Sequence, residues 1–294
     1  IPPRLQHLHI NFTRDESKGV IYYGLTHIKN VGSKECDKIS EFIKNNENVS
    51  QFTWMDCLFD MVFGLNINKR ATIALISVGA FNGKNNLVSR QTMLYEYNSW
   101  KQLTPREQKA IVENFKSNDP AVYAKNLADA IWHLVEGRSS IKVNARRMSA
   151  VKDIKLSLDN PFYDINDQAV VIATDEEKFL SCALTCSKVD GLDLQVSTMP
   201  CTAVANQTVS GKVCLAVELS EIKVIKTKRG NNPGQEMAFL TVEDGSGSLE
   251  DVTVFPDCYS EFRNLLIENN TVMLFGAISK KDKKSLIVER IKQI

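Results

Sequence analysis

From about residue 208 onward the apolar residues of this chain alternate with polar ones, while before that point they recur at helical spacing. The two periods cannot share one element type, so helices come first and strands afterwards. Val209–Lys226 reads as a long strand with Val213, Leu215, Val217 and Leu219 on one face. A turn over Thr227–Gly234 leads to a second strand, Glu236–Glu243, and Asp244-Gly245-Ser246-Gly247 is a tight turn into a third, Ser248–Phe255. A short helix at Tyr259–Glu268 precedes strands Thr271–Ser279 and Ser285–Ile291.

The order β-β-β-α-β-β with a long first strand is that of the OB-fold, a small five-stranded barrel. The fold class expected is α+β multidomain: a helical helix-hairpin-helix domain at 1–100, a helical connector at 101–207 and a five-stranded OB-fold β-barrel at 208–294. In the first part, His9–Thr13 and Val20–Tyr23 read as a hairpin, and short helices follow. Ser33 caps a helix to about Asn45, Thr53-Trp54-Met55-Asp56 forms a capping box for one ending near Gly64, and Asn68 caps a third. Residues 85–100 read as helical. Thr104-Pro105-Arg106-Glu107 is a strong helix start, Asp119-Pro120 opens the next helix, and Gly137 ends it. Residues 160–207 are irregular apart from a helix near Asp175–Leu184.

With 36 Lys+Arg against 35 Asp+Glu, a surface built wholly for a polyanion is excluded, and any nucleic-acid contact must come from local patches. Three such patches stand out. In OB-folds the ligand face lies between the loops joining strands one and two and strands four and five. Here those loops carry Lys226, Lys228 and Arg229, and Lys280, Lys281, Lys283 and Lys284, although residues 201–294 hold 12 basic and 12 acidic residues overall. Phe239, Phe255 and Phe275 are candidate stacking platforms for a single strand. Strand alternation equally offers each of them a place in the barrel core, the commoner fate, and lysine-rich turns are often plain solvated tips.

The second patch is Ile28-Lys29-Asn30-Val31-Gly32-Ser33-Lys34, an apolar residue and a short turn opening a helix, the form of a helix-hairpin-helix element. Its turn would aim backbone N–H groups at a phosphate, with Lys29 and Lys34 beside it. Leu75-Ile76-Ser77-Val78-Gly79-Ala80-Phe81 reads as a degenerate second copy, with Val78-Gly79 also readable as an ordinary helix C-cap. The third patch runs from Arg138 to Lys155. Arg138, Lys142 and Arg146 fall at i, i+4 and i+8 and share a face if the segment is one helix, with Arg147 adjoining; the plain alternative is a solvated face.

Catalytic and metal chemistry find no support. The acidic residues show no spacing for a two-metal phosphoryl-transfer site, and neither a phosphate-loop glycine pattern nor Gly-x-Ser-x-Gly occurs. Cys182 and Cys186 lack a second pair or a histidine cluster, so no zinc site is expected, and seven cysteines fit reduced thiols in a cytoplasmic protein. No apolar run is long enough for a membrane span, so no membrane partner is expected. The start at Ile1-Pro2-Pro3-Arg4, without Met or a signal-peptide pattern, leads us to expect a piece of a longer protein.

Ile225-Lys226-Thr227-Lys228-Arg229-Gly230, Met237 to Asp244 and Val254-Phe255-Pro256 closely resemble the OB domain of the C-family polymerases, the bacterial DNA polymerase III alpha subunits. Tyr23-Gly24-Leu25, Ile28 to Gly32 and Leu75 to Phe81 resemble the tandem helix-hairpin-helix domain that precedes it there, and Glu176 to Leu180 with Leu184-Thr185 resembles the connector. The resemblance implies that the hairpins grip duplex backbone and the OB domain contacts single-stranded template. It also implies a sliding clamp and other replisome subunits as partners. Gln91-Thr92-Met93-Leu94-Tyr95 faintly resembles a clamp-binding peptide but falls where the family continues a helix. No cofactor is implied for this region; Mg2+ belongs to the family's polymerase domain, whose catalytic aspartates have no counterpart here. Asn30 stands where the first hairpin usually has glycine, and Cys186-Ser187-Lys188 where the connector usually has His-Pro. The rival readings are a stand-alone single-strand-binding accessory protein, a ligase, which lacks its nucleotidyl-lysine motif here, and an anticodon-type RNA-binding OB domain, against which the upstream hairpins speak.

Overall fold

The computed structural model describes the chain except for residues 117–123, 125, 163, 195, 229–232 and 281. The chain divides into two compact units, residues 1–167 with 175–185, and residues 168–174 with 186–294. The stretch 101–207, expected as a separate connector, is thus shared between them. The reason is burial: Ile111, Leu127, Ile131, Val151 and Ile154 join the same apolar core as Trp100 and Phe59.

In the first unit, the two-stranded hairpin β1 (Thr13–Asp15) and β2 (Val20–Tyr22) is followed by α1 (Ser33–Asn45), whose inner face buries Cys36 and Ile39. Ser33 is the first residue of that helix rather than its cap; Gly32 holds the cap position with no side-chain bond. Thr53 and Asp56 form the expected capping box at α2 (Trp54–Asp56), which widens into a π-helical turn, Cys57–Phe63. The wider turn buries Cys57, Leu58, Phe59, Met61 and Val62 together. Asn68 caps α3 (Lys69–Ser77), Ser89 caps α4 (Arg90–Trp100), and Thr104 with Glu107 makes a second capping box at α5 (Pro105–Phe115). Helices α6 (Leu127–Val135) and α7 (Ala145–Asp159) complete the bundle. The expected start of α6 at Asp119-Pro120 lies outside the described residues. The helix expected at Asp175–Leu184 runs earlier, as α8 (Ala169–Leu180).

A buried polar network fastens this unit. Arg90 and Glu176 are 4% and 0% exposed and lie 2.9 Å apart. Glu176 also accepts from the Leu184 and Thr185 amides at 2.6 and 2.8 Å, and Arg90 donates to the Ser77 carbonyl at 2.8 Å. Arg4 donates to the carbonyls of Val78 and Gly79 and to the Thr185 hydroxyl. Burial first, and then the neighbouring Arg90, lower the Arg4 guanidinium to about 10.

The second unit is a closed barrel, order β3-β4-β5-β7-β6, formed by β3 (Lys212–Lys226), β4 (Glu236–Asp244), β5 (Gly247–Val254), β6 (Thr271–Ile278) and β7 (Leu286–Gln293). The expected inward face of β3 is the real one: Val213, Leu215, Val217 and Leu219 are buried with Leu240, Val252, Leu274 and Val288. The β5–β7 pair is parallel and the rest are antiparallel, as closure of this strand order requires. Gly276 allows the closure of β6 on β7, because a Cβ there would lie 2.3 Å from the Ile287 carbonyl oxygen. Two short helices, α9 (Cys201–Ala205) and α10 (Pro256–Phe262), pack on the barrel core through Cys201, Val204, Tyr259 and Phe262. Lys188 pairs with the buried Glu218 of β3.

Breaking one member of a buried pair leaves the other charge uncompensated. We therefore expect Glu176→Gln to cost about 3–5 kcal/mol in urea unfolding, whereas Lys212→Ala, which removes the exposed pair with Glu289, costs less than about 1 kcal/mol. Burial pushes the Glu96 carboxyl up to about 7 despite the Trp54 indole N–H donated to it at 2.6 Å. The folded state thus holds a proton that the unfolded chain releases, and stability falls as pH rises from about 4.5 to about 7. Glu96→Gln, neutral throughout, should flatten that slope and stabilise the protein at pH 8 by about 1–3 kcal/mol in thermal melts at stepped pH.

Candidate nucleic-acid interface

The first hairpin is built on an unusual backbone. Asn30 has φ 72°, the left-handed region, which asparagine enters more readily than other side chains apart from glycine. Its neighbours close the turn: the Val31 amide donates to Ile28 at 3.1 Å and the Lys29 amide to Phe179 at 2.9 Å. Val31 is buried and anchors the turn, while Lys29, Asn30, Gly32, Ser33 and Lys34 are exposed. Because Gly32 supplies no side chain, the first-turn amides of α1 face outward without a side-chain cap.

Folding brings a second helix start to the same place. Asn30, Val31, Gly32 and Glu35 line an open concavity of about 650 Å³ together with Asn68, Lys69 and Arg70 at the beginning of α3. Glu35 accepts a 2.6 Å hydrogen bond from the Asn68 side-chain amide and so ties the two helix ends together. Lys69 and Arg70 are exposed on the rim. Two helix N-termini and two cations converging on one hollow favour an anion there. The Asn68 cap is readable from local sequence but this pairing is not, since Lys69 and Arg70 lie far from Asn30 in the chain.

The second copy has a different fate. Ala80 donates to Leu75 and Gly79 to Ile76, both at 2.9 Å, and Gly79 has φ 75°. This is a Schellman C-cap closing α3. Val78 and Gly79 are buried, and their carbonyls are held by Arg4. The structure therefore places them inside the first unit rather than on its surface.

The single helical face expected for Arg138, Lys142 and Arg146 does not form. Asn144 caps α7, so Arg138 and Lys142 precede the helix and only Arg146 and Arg147 lie on it. Arg138, Lys142 and Arg146 are exposed. Arg147 is engaged: it forms two 2.9 Å bonds to Glu107 and donates to the Gln102 carbonyl. Burial alone would raise the Glu107 carboxyl, but the Arg147 guanidinium and Thr104 donors bring it below its ordinary value.

On the barrel, Phe239 and Phe255 are 40% and 48% exposed, whereas Phe275 is half-buried. Their inward neighbours Ala238, Leu240 and Val254 fill the core, so alternation turns both rings outward. Phe239 pairs in register with Lys223 and Thr253, and Phe255 follows two residues after Thr253. The two rings are thus diagonal neighbours on one face. Lys226 ends β3 opposite Glu236, and the loop beyond it is closed by Thr227–Gln235 and Gly234–Thr227 backbone bonds at 2.8 Å. Lys226 and Lys228 are exposed, and Arg229 lies outside the described residues. Lys280, Lys283 and Lys284 are exposed on the β6–β7 turn, which Asp282 shapes by accepting from the Lys284 amide at 3.0 Å; Lys281 lies outside the described residues. Among the described residues no group of His, Cys, Asp and Glu is placed to hold a metal ion, and no helix is long and apolar enough to cross a membrane.

Comparison with known proteins agrees with this division. Residues 1–93 match the helix-hairpin-helix motif family, and residues 213–294 match the OB-fold nucleic acid binding domain family, whose name refers to the tRNA anticodon. The chain thus combines a helix-hairpin-helix region with an OB-fold region of the nucleic-acid-binding kind. Over part of its length it is similar to bacterial DNA polymerase III alpha subunits. The alpha subunit of Borreliella burgdorferi is 39% identical over 77 residues, 26% of this chain and 6% of that protein. Those of Bacillus subtilis and Streptococcus pyogenes serotype M3 are 37% identical over 87 residues and 33% over 92, covering 29% and 31% of this chain and 7% and 8% of those proteins. The matched stretches thus span less than a tenth of these relatives' length.

The turn itself is testable by stability. Asn30→Gly relieves the left-handed strain and should leave stability unchanged or raise it by up to about 1 kcal/mol, whereas Asn30→Ala should cost about 1 kcal/mol. Chemical denaturation of the two variants checks the pair of signs.

Proposed function

We infer that this chain is a DNA-handling region of a replicative polymerase, non-catalytic in itself, in which the first hairpin holds duplex backbone and the barrel face contacts single strand. The observation that carries this reading is the hollow where the starts of α1 and α3 converge between Lys69 and Arg70. Such a site reads charge and backbone geometry but presents nothing to a base edge, so it favours grip without sequence preference. The barrel supplies what a single strand needs: outward Phe239 and Phe255 on one face, and lysines on both bounding loops. The relatives' printed name, DNA polymerase III subunit alpha, makes DNA the favoured nucleic acid. On this reading, the sliding clamp, other replisome subunits and the Mg2+ of a polymerase domain belong to the larger assembly in which the chain works.

The test is fluorescence anisotropy with single-stranded, duplex and primer–template DNA across a salt series, with single-stranded RNA as a competitor. Primer–template should bind with log affinity falling steeply in log salt. Lys69→Ala with Arg70→Ala should weaken duplex binding and make that slope shallower by about 2, at roughly 0.9 per lost phosphate contact. Lys228→Ala with Arg229→Ala should instead weaken single-strand binding more than duplex binding. Equal losses on both DNAs from either variant, or a preference for RNA, would overturn the assignment of roles.

A further inference from the structure

Just ahead of the first hairpin turn in the chain lies a group of aromatic rings that the reading above does not use. Phe12 is 47% exposed. Its ring lies 4.1 Å from that of His27 and 4.6 Å from that of Tyr23, tilted to the first and edge-on to the second. His27 is exposed as well. One exposed phenylalanine needs no explanation. A set of rings fixed in place with an open face does.

The setting is rigid. The Tyr23 hydroxyl donates to the Leu180 carbonyl at 2.6 Å, and Thr26 donates to Ile10 through both its amide and its hydroxyl, at 3.0 and 2.9 Å. The Leu25 amide donates to His9 at 2.9 Å. Gly24 lets the two segments approach, because a Cβ there would sit 2.4 Å from the Asn11 backbone. The platform is therefore pre-organised, and a ligand stacking on it orders little that is not already ordered.

Its position suggests the ligand. His27 precedes Asn30 by three residues, and the intervening turns are tight: Ile28 donates to Leu25, and Val31 donates to Ile28. Three residues span at most about 10 Å, the scale of one nucleotide. An exposed aromatic pair whose His27 lies within that chain span of Asn30 is close enough to serve the two ends of a nucleotide, a flat base and a phosphate. We propose that Phe12 and His27 form a stacking site for an unpaired nucleobase whose backbone enters the hollow at Asn30–Gly32. The site rests on the phosphate reading of that hollow and adds to it a preference for DNA with unpaired bases at a duplex end.

The experiment uses the full chain and three DNAs sharing one duplex: blunt, with a short overhang, and with an abasic overhang that keeps the phosphates but lacks bases. In the wild type the base-carrying overhang binds more tightly than the abasic one. Phe12→Ala should reduce that ratio about 5- to 100-fold, the loss of one stacked base, while blunt-duplex affinity is unchanged. Phe12→Trp should restore the ratio, and its added indole emission should be quenched by the base-carrying overhang but not by the abasic one. That quenching is local to residue 12, so the barrel's own single-strand contacts do not produce it. An unchanged ratio in Phe12→Ala, full retention in Phe12→Leu, or an equal loss on blunt duplex would each overturn the stacking site. If instead the wild type bound none of the three DNAs, the underlying reading of the hollow would fall with it.

Discussion

The contact on which the first unit most depends is the buried ion pair between Arg90 and Glu176. Removing two charges from water is costly, and the pair persists only because its remaining hydrogen-bonding capacity is met by Ser77, Leu184 and Thr185. Meeting that capacity forces segments distant in sequence together. The end of α3, the start of α4 and the end of α8 with residues 181–185 all meet at one point. Arg4 adds a second guanidinium and closes the same point from the N-terminal side. The cost of the charges is thus turned into a fixed arrangement of short helices, none of which is long enough to be stable alone.

That arrangement decides which hairpin faces outward. The turn at Val78-Gly79 lies inside the network, so its carbonyls are occupied by Arg4. The turn at Asn30-Val31-Gly32 has no bond to those guanidinium groups among the described residues; it is held by the buried Val31 and by the Lys29 amide bonded to Phe179, and keeps its helix start open. Two segments with similar sequences thus take opposite roles for one physical reason: buried guanidinium groups require acceptors, and the second turn supplies them.

Elements with strong local signals are legible in the residue pattern alone. The capping boxes at Thr53 and Thr104, the Asn68 cap and the alternation of Val213 to Leu219 all appear where local chemistry sets them. Capping and alternation act within a few residues, so the chain states them directly. The basic stretch from Arg138 misleads, because its helical spacing extends upstream of Asn144, whose side chain starts the helix there by accepting from the Arg147 amide. Arg147 itself reads as a surface cation, yet its fork fits Glu107 of another helix.

The sequence by itself determined the order of helices and strands, the barrel's inward face and the position of the first hairpin turn. These follow from residue spacing and from the backbone preferences of Asn, Gly and Pro. Only the tertiary structure decided that Lys69 and Arg70 stand beside Asn30, that Phe239 and Phe255 share an open face, and that Val78 and Gly79 are buried. Those facts depend on which distant segments satisfy one another's charges and apolar surface, a condition on the whole chain that no local window contains.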